Sequence, residues 1–163
     1  MLTEIRMPAI TYLVVIEDNE ADILLMKKRI DEACPDTELM VFRDGNDAMR
    51  WIREESFGNG KHKIPDGVLL DINMPKWSGL ELLKAIRDVK ELREMPVVMF
   101  SSSDRPYDVE KSMEFKASAF FVKPFTLEGY DNAIRDVCAF IRKEMDLPFF
   151  NRYDWDGSSQ RGK

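Results

Sequence analysis

Five short apolar runs, each stopping at a polar or charged residue, alternate with stretches of helical periodicity, and this alternation constrains the fold more than any other feature. The third run shows the pattern best: Val68-Leu69-Leu70 is apolar at consecutive positions and is closed by Asp71. A strand of that kind buries both faces, as strands do in a parallel sheet covered by helices. Alternation of strand and helix requires right-handed crossovers, which lay helices on both sides of the sheet. The sequence therefore predicts an α/β domain built on a doubly wound five-stranded parallel sheet. In such sheets ligands bind along the carboxyl edge of the strands, so Asp71 is a candidate site residue.

Taken in order, residues 11–16 form a β-branched run ending in Glu17-Asp18, and Asn19 is placed to cap a helix. Ile23, Met26, Ile30 and Ala33 then share a helical face, and Pro35 ends it. A short strand is expected over 38–42, followed by a turn at Asp44-Gly45-Asn46 and a helix holding Ala48, Met49 and Ile52. Residues 57–65 lack periodicity and predict an exposed loop, within which His62 should be solvated. After Pro75, Ser78 caps a helix with core residues Leu80, Leu83 and Ile86, while Lys84 and Arg87 should reach water. The fourth run, 96–100, ends in Ser101-Ser102-Ser103, and a helix through Val109 and Met113 follows. The fifth, 119–122, ends at Lys123-Pro124, and Thr126 caps a last helix through Tyr130, Ile134, Val137 and Ile141.

A chain of 163 residues suits one domain, here expected over 8–145, with a tail over 146–163. Its net charge of -6 argues against nucleic-acid binding, which calls for a basic stripe. No apolar run is long enough to span a bilayer, and residues 1–6 lack a signal-peptide core, so a cytoplasmic, membrane-free protein is expected. Cys34 and Cys138 read as reduced thiols in helices. In the tail, Phe149, Phe150, Tyr153 and Trp155 are too aromatic for a solvated linker, and 157–163 reads as a disordered end. Beyond the last helix these rings have no core left to enter, which predicts an arm that docks on a second copy, so a homodimer through this tail or the last helix is expected.

Glu17, Asp18, Asp71, Ser101 and Lys123 all fall at strand ends, so the fold brings three carboxylates, a hydroxyl and an ammonium to one edge. Two carboxylates ~4 Å apart repel by about 4 kcal/mol at an effective dielectric near 20, so three call for a cation. Oxygen ligands without a His or Cys cluster favour Mg²⁺ or a similar hard ion over zinc.

The acid pair Glu17-Asp18, the Asp71-x-Asn73-Met74-Pro75-x-x-x-Gly79 stretch, Ser101 beside Ser102, and Lys123-Pro124-Phe125 together resemble the receiver domain of a two-component response regulator. The resemblance covers about 12–141 and implies the flavodoxin-like strand order 2-1-3-4-5. It implies that Asp71 is the phosphoacceptor for a sensor histidine kinase, and that Asp18, Asp71 and the main-chain carbonyl of Asn73 hold Mg²⁺, with Glu17 acting through a bound water. Lys123 and Ser101 are implied to contact the phosphoryl oxygens, and a cis bond is implied at Lys123-Pro124. Ser101 and Phe120 are the implied switch, Phe120 standing where the family often has Tyr or His, so that packing alone can carry the signal.

The 57–65 loop, the Asp22-Ile23-Leu24-Leu25 helix start and the Asn73-Met74-Pro75-Lys76 turn resemble single-domain regulators paired with bacterial phytochrome kinases. No output domain is read after the last helix, so the domain is expected to bind another protein or pass its phosphoryl group on. Two other functions compete: a phosphate sink with no effector, and a phosphatase with an aspartyl nucleophile. The phosphatase calls for a second acid two residues after Asp71, where Asn73 stands. The favoured expectation is a signalling domain rather than an enzyme, with at most self-phosphorylation and self-dephosphorylation.

Overall fold

The computed structural model describes residues 12–54, 57 and 62–153. Its strands are β1 (Tyr12–Ile16), β2 (Glu38–Phe42), β3 (Gly67–Leu70), β4 (Val97–Ser101), β5 (Ala119–Val122) and β6 (Phe150–Asn151). The helices between them are α1 (Glu20–Ala33), α2 (Gly45–Arg53), α3 (Gly79–Asp88), α4 (Pro106–Glu114) and α5 (Leu127–Ile141). The sheet is parallel throughout, in the order β2-β1-β3-β4-β5-β6. The expected order of the first five strands holds, and the expected count of five becomes six.

Side chains alternate across the sheet even though both faces are covered. Val14, Ile16, Val68, Leu70, Met99 and Phe120 join the cluster under α2 and α3, while Leu13, Val15, Leu69, Phe100 and Phe121 join the one under α1 and α5. Asn19, Ser78 and Thr126 cap α1, α3 and α5 as expected, each side chain accepting from a first-turn amide, and Ser78 completes a capping box with Glu81.

Two helices differ from the periodic reading. In α3 the buried side chains are Leu82, Leu83 and Ile86, with Leu80 only partly covered, so the inward stripe is rotated toward 82. Arg87, expected in water, is half-buried. Its guanidinium donates to the carbonyls of Met95 (2.7 Å), Arg93 (3.0 Å), Leu92 (3.3 Å) and Lys116 (3.0 and 3.1 Å). A fork with five N–H donors can satisfy several loop carbonyls at once, and this outweighs its hydration here. In α4, Met113 stays exposed and the inner side carries Val109 with the buried polar residues Asp108 and Ser112.

The sixth strand comes from the tail. Phe150 and Asn151 pair with Phe120 and Phe121, the Phe120 amide donates to the Phe149 carbonyl (2.6 Å), and the buried Asn151 amide group donates to the carbonyls of Pro148 (2.9 Å), Phe149 (3.3 Å) and Phe120 (3.4 Å). Phe150 stacks on Phe120 with centroids 5.9 Å apart, and Tyr153 on Phe121 at 5.7 Å. The aromatic residues therefore do have a core to enter, namely the edge of their own sheet, because the outer edge of β5 pairs with β6 and its Phe120 and Phe121 rings stack on Phe150 and Tyr153. Arg152 ion-pairs with Asp104 and the Tyr153 hydroxyl bonds Asp136, so two contacts hold the segment just after β6. Trp155 and the expected disordered end at 157–163 lie outside the described residues. No described helix is long and apolar enough to cross a membrane.

Candidate functional site

Ladder bonds continue past the strand ends and set the site at one level. The Glu17 amide donates to the Phe42 carbonyl (3.0 Å), the Asp71 amide to Ile16 (3.0 Å), and the Lys123 amide to Ser101 (2.8 Å). Glu17, Asp71, Ser101 and Lys123 thus meet at the carboxyl edge of the four central strands. All four are buried, whereas Asp18 and Asn73 are exposed at the mouth.

One carboxylate oxygen each from Glu17, Asp18 and Asp71 lies within 4.8 Å of the others. The Lys123 ammonium donates to Glu17 Oε2 (2.6 Å) and Asp22 Oδ2 (3.0 Å), and stands 3.7 Å from Asp71 Oδ2. The other Asp71 oxygen accepts from the Ile72 amide (2.8 Å), and Glu17 Oε1 accepts from the Asn19 amide (3.1 Å). Ser101 Oγ accepts from the Ser103 amide (3.3 Å).

Burial raises both inner acids. Glu17 is pushed up to about 7 by burial and then by the charge of Asp71, with Lys123 pulling the other way. Asp71 is likewise raised by burial, against the attraction of Lys123 and the hydrogen bonds of Ser101 and Ile72. Burial alone would lower Lys123, but Asp71 and Glu17 overrule it and hold the ammonium above its usual range. Lys123 thus faces Glu17, Asp22 and Asp71 while Asp18 stands beside them, so negative charge is in excess. An all-oxygen donor set with surplus negative charge fits a hard divalent cation.

The backbone after Asp71 turns tightly to make room for this. Gly79 donates its amide to the Ile72 carbonyl (2.8 Å), and a Cβ at Gly79 would lie 2.0 Å from the Asp71 carbonyl oxygen. Only glycine fits that approach.

The structure brings together Glu17, Asp18, Asp71, Ser101 and Lys123, and places Asn73 in the turn beside them. Two expectations change. The Lys123-Pro124 bond is trans, the isomer that X–Pro bonds favour by about 0.5–1 kcal/mol. Phe120 is wholly buried and stacks on Phe150. His62, expected in water, meets Glu54 (2.5 Å) and lies against the Phe57 ring. Sequence reasoning missed Asp22 as a partner of Lys123, although an acid in the first turn of α1, four residues after Asp18, was a usable signal.

Comparison with known proteins agrees with this geometry. The family model described as response regulator receiver domain matches residues 13–135. Response regulator Rcp1 of Synechocystis sp. (strain ATCC 27184 / PCC 6803 / Kazusa) is 28% identical over 136 residues, 83% of this chain and 92% of Rcp1. The crystal structure of the Mn(2+)-bound form of Rcp1 superposes with a TM-score of 0.72 over 85% of this chain and 99% of that one, at 28% identity. The phosphorylated cyanobacterial phytochrome response regulator RcpA gives a TM-score of 0.75 at 29% identity, covering 86% of this chain and 99% of RcpA. The bacteriophytochrome response regulator AtBRR is 34% identical, with a TM-score of 0.62 over 79% of this chain and 93% of AtBRR. The chain belongs to the response regulator receiver domain family, the phosphoacceptor signalling modules of two-component systems.

Proposed function

We propose that Asp71 is the phosphoacceptor, that it takes the phosphoryl group from a phosphohistidine of a sensor kinase, and that the resulting charge switches protein–protein contacts. The observation that carries this reading is the Asp71 carboxylate, 5% exposed, with acidic oxygens of Glu17 and Asp18 on one side and the Lys123 ammonium 3.7 Å away on the other. One Asp71 oxygen attacks phosphorus, the phosphorus–nitrogen bond to the imidazole breaks, and that nitrogen leaves with its electron pair. The Ile72 amide holds the other Asp71 oxygen, so the attacking one is fixed in direction. Lys123 can leave its contact with Asp71 for a phosphoryl oxygen, and the Ser101 hydroxyl can follow it.

Glu17, Asp18 and Asp71, with the main-chain carbonyl of Asn73, would hold Mg²⁺, which supplies charge neutralisation for the transferred group. Glu17 serves through a water. Self-phosphorylation from small phosphodonors and self-dephosphorylation are the only reactions assigned to the chain. The phosphoryl donor is a sensor histidine kinase, and the relatives RcpA and AtBRR, titled as phytochrome and bacteriophytochrome regulators, support a phytochrome-type one. Leu24, Phe125 and Leu127 are exposed and follow closely on Asp22 and Lys123 in the chain, an apolar rim for a kinase helix. Nucleic acid and membranes are not among the assigned partners.

Phe120 carries the switch by packing. Any rotation of its ring must shift the stacked Phe150, so the phosphorylated state is read at β6 and in the Asp104–Arg152 pair that ties β6 to the loop after Ser101. A homodimer then forms when β6 leaves its own β5 edge for that of a second copy; a chain cut after Met145 that still dimerised by light scattering would remove this part. Transfer from a panel of phosphorylated sensor kinases tests the function, with label on Asp71 expected from at least one phytochrome-type kinase. Rapid loss of label with no change at Phe120 or β6 would favour the phosphate sink.

A further inference from the structure

Among the described acids only Glu17, Asp71 and Asp108 are buried. Glu17 and Asp71 belong to the acid cluster at the carboxyl edge, whereas Asp108, 2% exposed, lies outside it in the first turn of α4. That helix starts at Arg105 without a side-chain cap, and the Asp108 carboxylate reaches back into the loop that leaves β4. Asp108 Oδ2 accepts from the Ser103 hydroxyl (2.6 Å) and from Arg105 Nε (3.0 Å). Behind it the Ser112 hydroxyl donates to the Asp108 carbonyl (2.7 Å), which holds the turn that carries the carboxylate. Ser103 in turn donates its amide to Ser101 Oγ (3.3 Å), and its own Oγ accepts from the Arg105 amide (3.4 Å).

A chain of hydrogen bonds thus runs from α4 to the site: Asp108 carboxylate, Ser103 hydroxyl, Ser103 amide, Ser101 hydroxyl. A buried carboxylate is costly unless its hydrogen bonds are made, so Asp108 fixes Ser103 more firmly than a solvated acceptor would. The Arg105 side chain is 68% exposed, so solvent screens its charge and the short bond to Ser103 is the more specific of the two. With the Ser103 amide aimed at Ser101 Oγ, the proton of the Ser101 hydroxyl is turned away from Ser103.

We propose that Asp108 is a positioning residue for the phosphorylation of Asp71: it holds Ser103 so that Ser101 presents its hydroxyl proton to the incoming phosphoryl group. The proposal rests on the reading of Asp71 as the phosphoacceptor and adds to it the element, α4, that keeps Ser101 in place. Asp108 touches neither the phosphoryl group nor the metal ligands and acts only through Ser103.

The test is the rate of Asp71 labelling by acetyl phosphate at saturating Mg²⁺, measured on the full chain and on variants shown to be folded by circular dichroism. Asp108→Ala and Ser103→Ala should each slow labelling by about tenfold or more, the loss that a misplaced group brings. Asp108→Asn should recover most of the rate, since both bonds fall on one oxygen and an amide oxygen can accept them. The double variant Ser101→Ala/Asp108→Ala should label no more slowly than Ser101→Ala alone, because the effect of Asp108 passes through the Ser101 hydroxyl. A purely structural role would slow the Ser101→Ala background as much as the wild type, and that result would overturn the proposal, as would a wild-type rate in Asp108→Ala. Asp108→Leu, which fills the space without an acceptor oxygen, decides the question if the alanine variant does not fold. A wild type that takes no label removes Asp71 as the phosphoacceptor and this proposal with it, whereas a labelled wild type matched by Asp108→Ala removes only the role of Asp108.

Discussion

The main-chain oxygen of Asp71 occupies the space in which a side chain at position 79 would begin: a Cβ on Gly79 would stand 2.0 Å from it and 2.8 Å from the Asp71 carbonyl carbon. The start of α3 therefore rests directly on the backbone of the proposed phosphoacceptor. Gly79→Ala must push the two apart, and overpacking of this kind costs about 1–3 kcal/mol. The expected outcome is a lower urea midpoint together with slower acetyl phosphate labelling of Asp71. Labelling at the wild-type rate would show that α3 does not position Asp71.

Glu17 and Asp71 are buried acids that share Lys123 with Asp22, so the edge should be stabilised by a divalent cation. At ~100 times its dissociation constant, Mg²⁺ should add about 2.7 kcal/mol of stability, seen as a raised thermal midpoint that EDTA reverses. Asp18 is exposed, so Asp18→Asn should keep the metal-free midpoint and lose most of the increment. An increment of wild-type size in that variant would remove Asp18 from the ligand set.

Arg87 holds together the segment between α3 and β4 and the end of α4 by bonding four different carbonyls. Arg87→Ala leaves those groups without their charged donor, and a loss of about 2–3 kcal/mol is expected in urea unfolding. Lys at this position should restore little, since an ammonium is a point charge and the site uses a fork. Because Arg87 works away from the acidic edge, the phosphoryl stoichiometry of the folded variant should be unchanged.

Phe120 and β6 give a prediction readable without any partner protein. Asn151→Ala removes a buried amide group that bonds the Pro148, Phe149 and Phe120 carbonyls, and about 1–2 kcal/mol of local stability should go with it. Hydrogen exchange at the Phe120 amide, which donates to Phe149, should quicken in the variant. The same amide in the wild type should exchange faster on adding beryllofluoride if β6 reads phosphorylation. Unaltered exchange would detach β6 from the switch.

Most of the fold was legible because the signals were local. The runs ending at Ile16, Leu70 and Val122 became strands, and Asn19, Ser78 and Thr126 became caps, since continuous apolar runs and a side-chain oxygen before a helix act over a few residues. The elements misread depend on distant partners. Phe150-Asn151 is a two-residue strand containing Asn, a poor strand former, and it forms by pairing with the outer edge of β5, a partner 30 residues back in the chain. Arg87 looked like a solvated end of α3 because its acceptors lie outside that helix, between α3 and β4 and just after α4. At the site, strand ends identified the cluster, but the Asp22–Lys123 pair spans 101 residues and needed the fold to be seen.

The most direct test of the central claim is mass spectrometry of the wild type and Asp71→Asn after incubation with Mg²⁺ and acetyl phosphate. One phosphoryl group on the wild type, mapped to Asp71 and absent from the variant, is the predicted result. A wild type that stays unmodified and also fails to bind beryllofluoride, or a variant that is labelled as fully as the wild type, would contradict it.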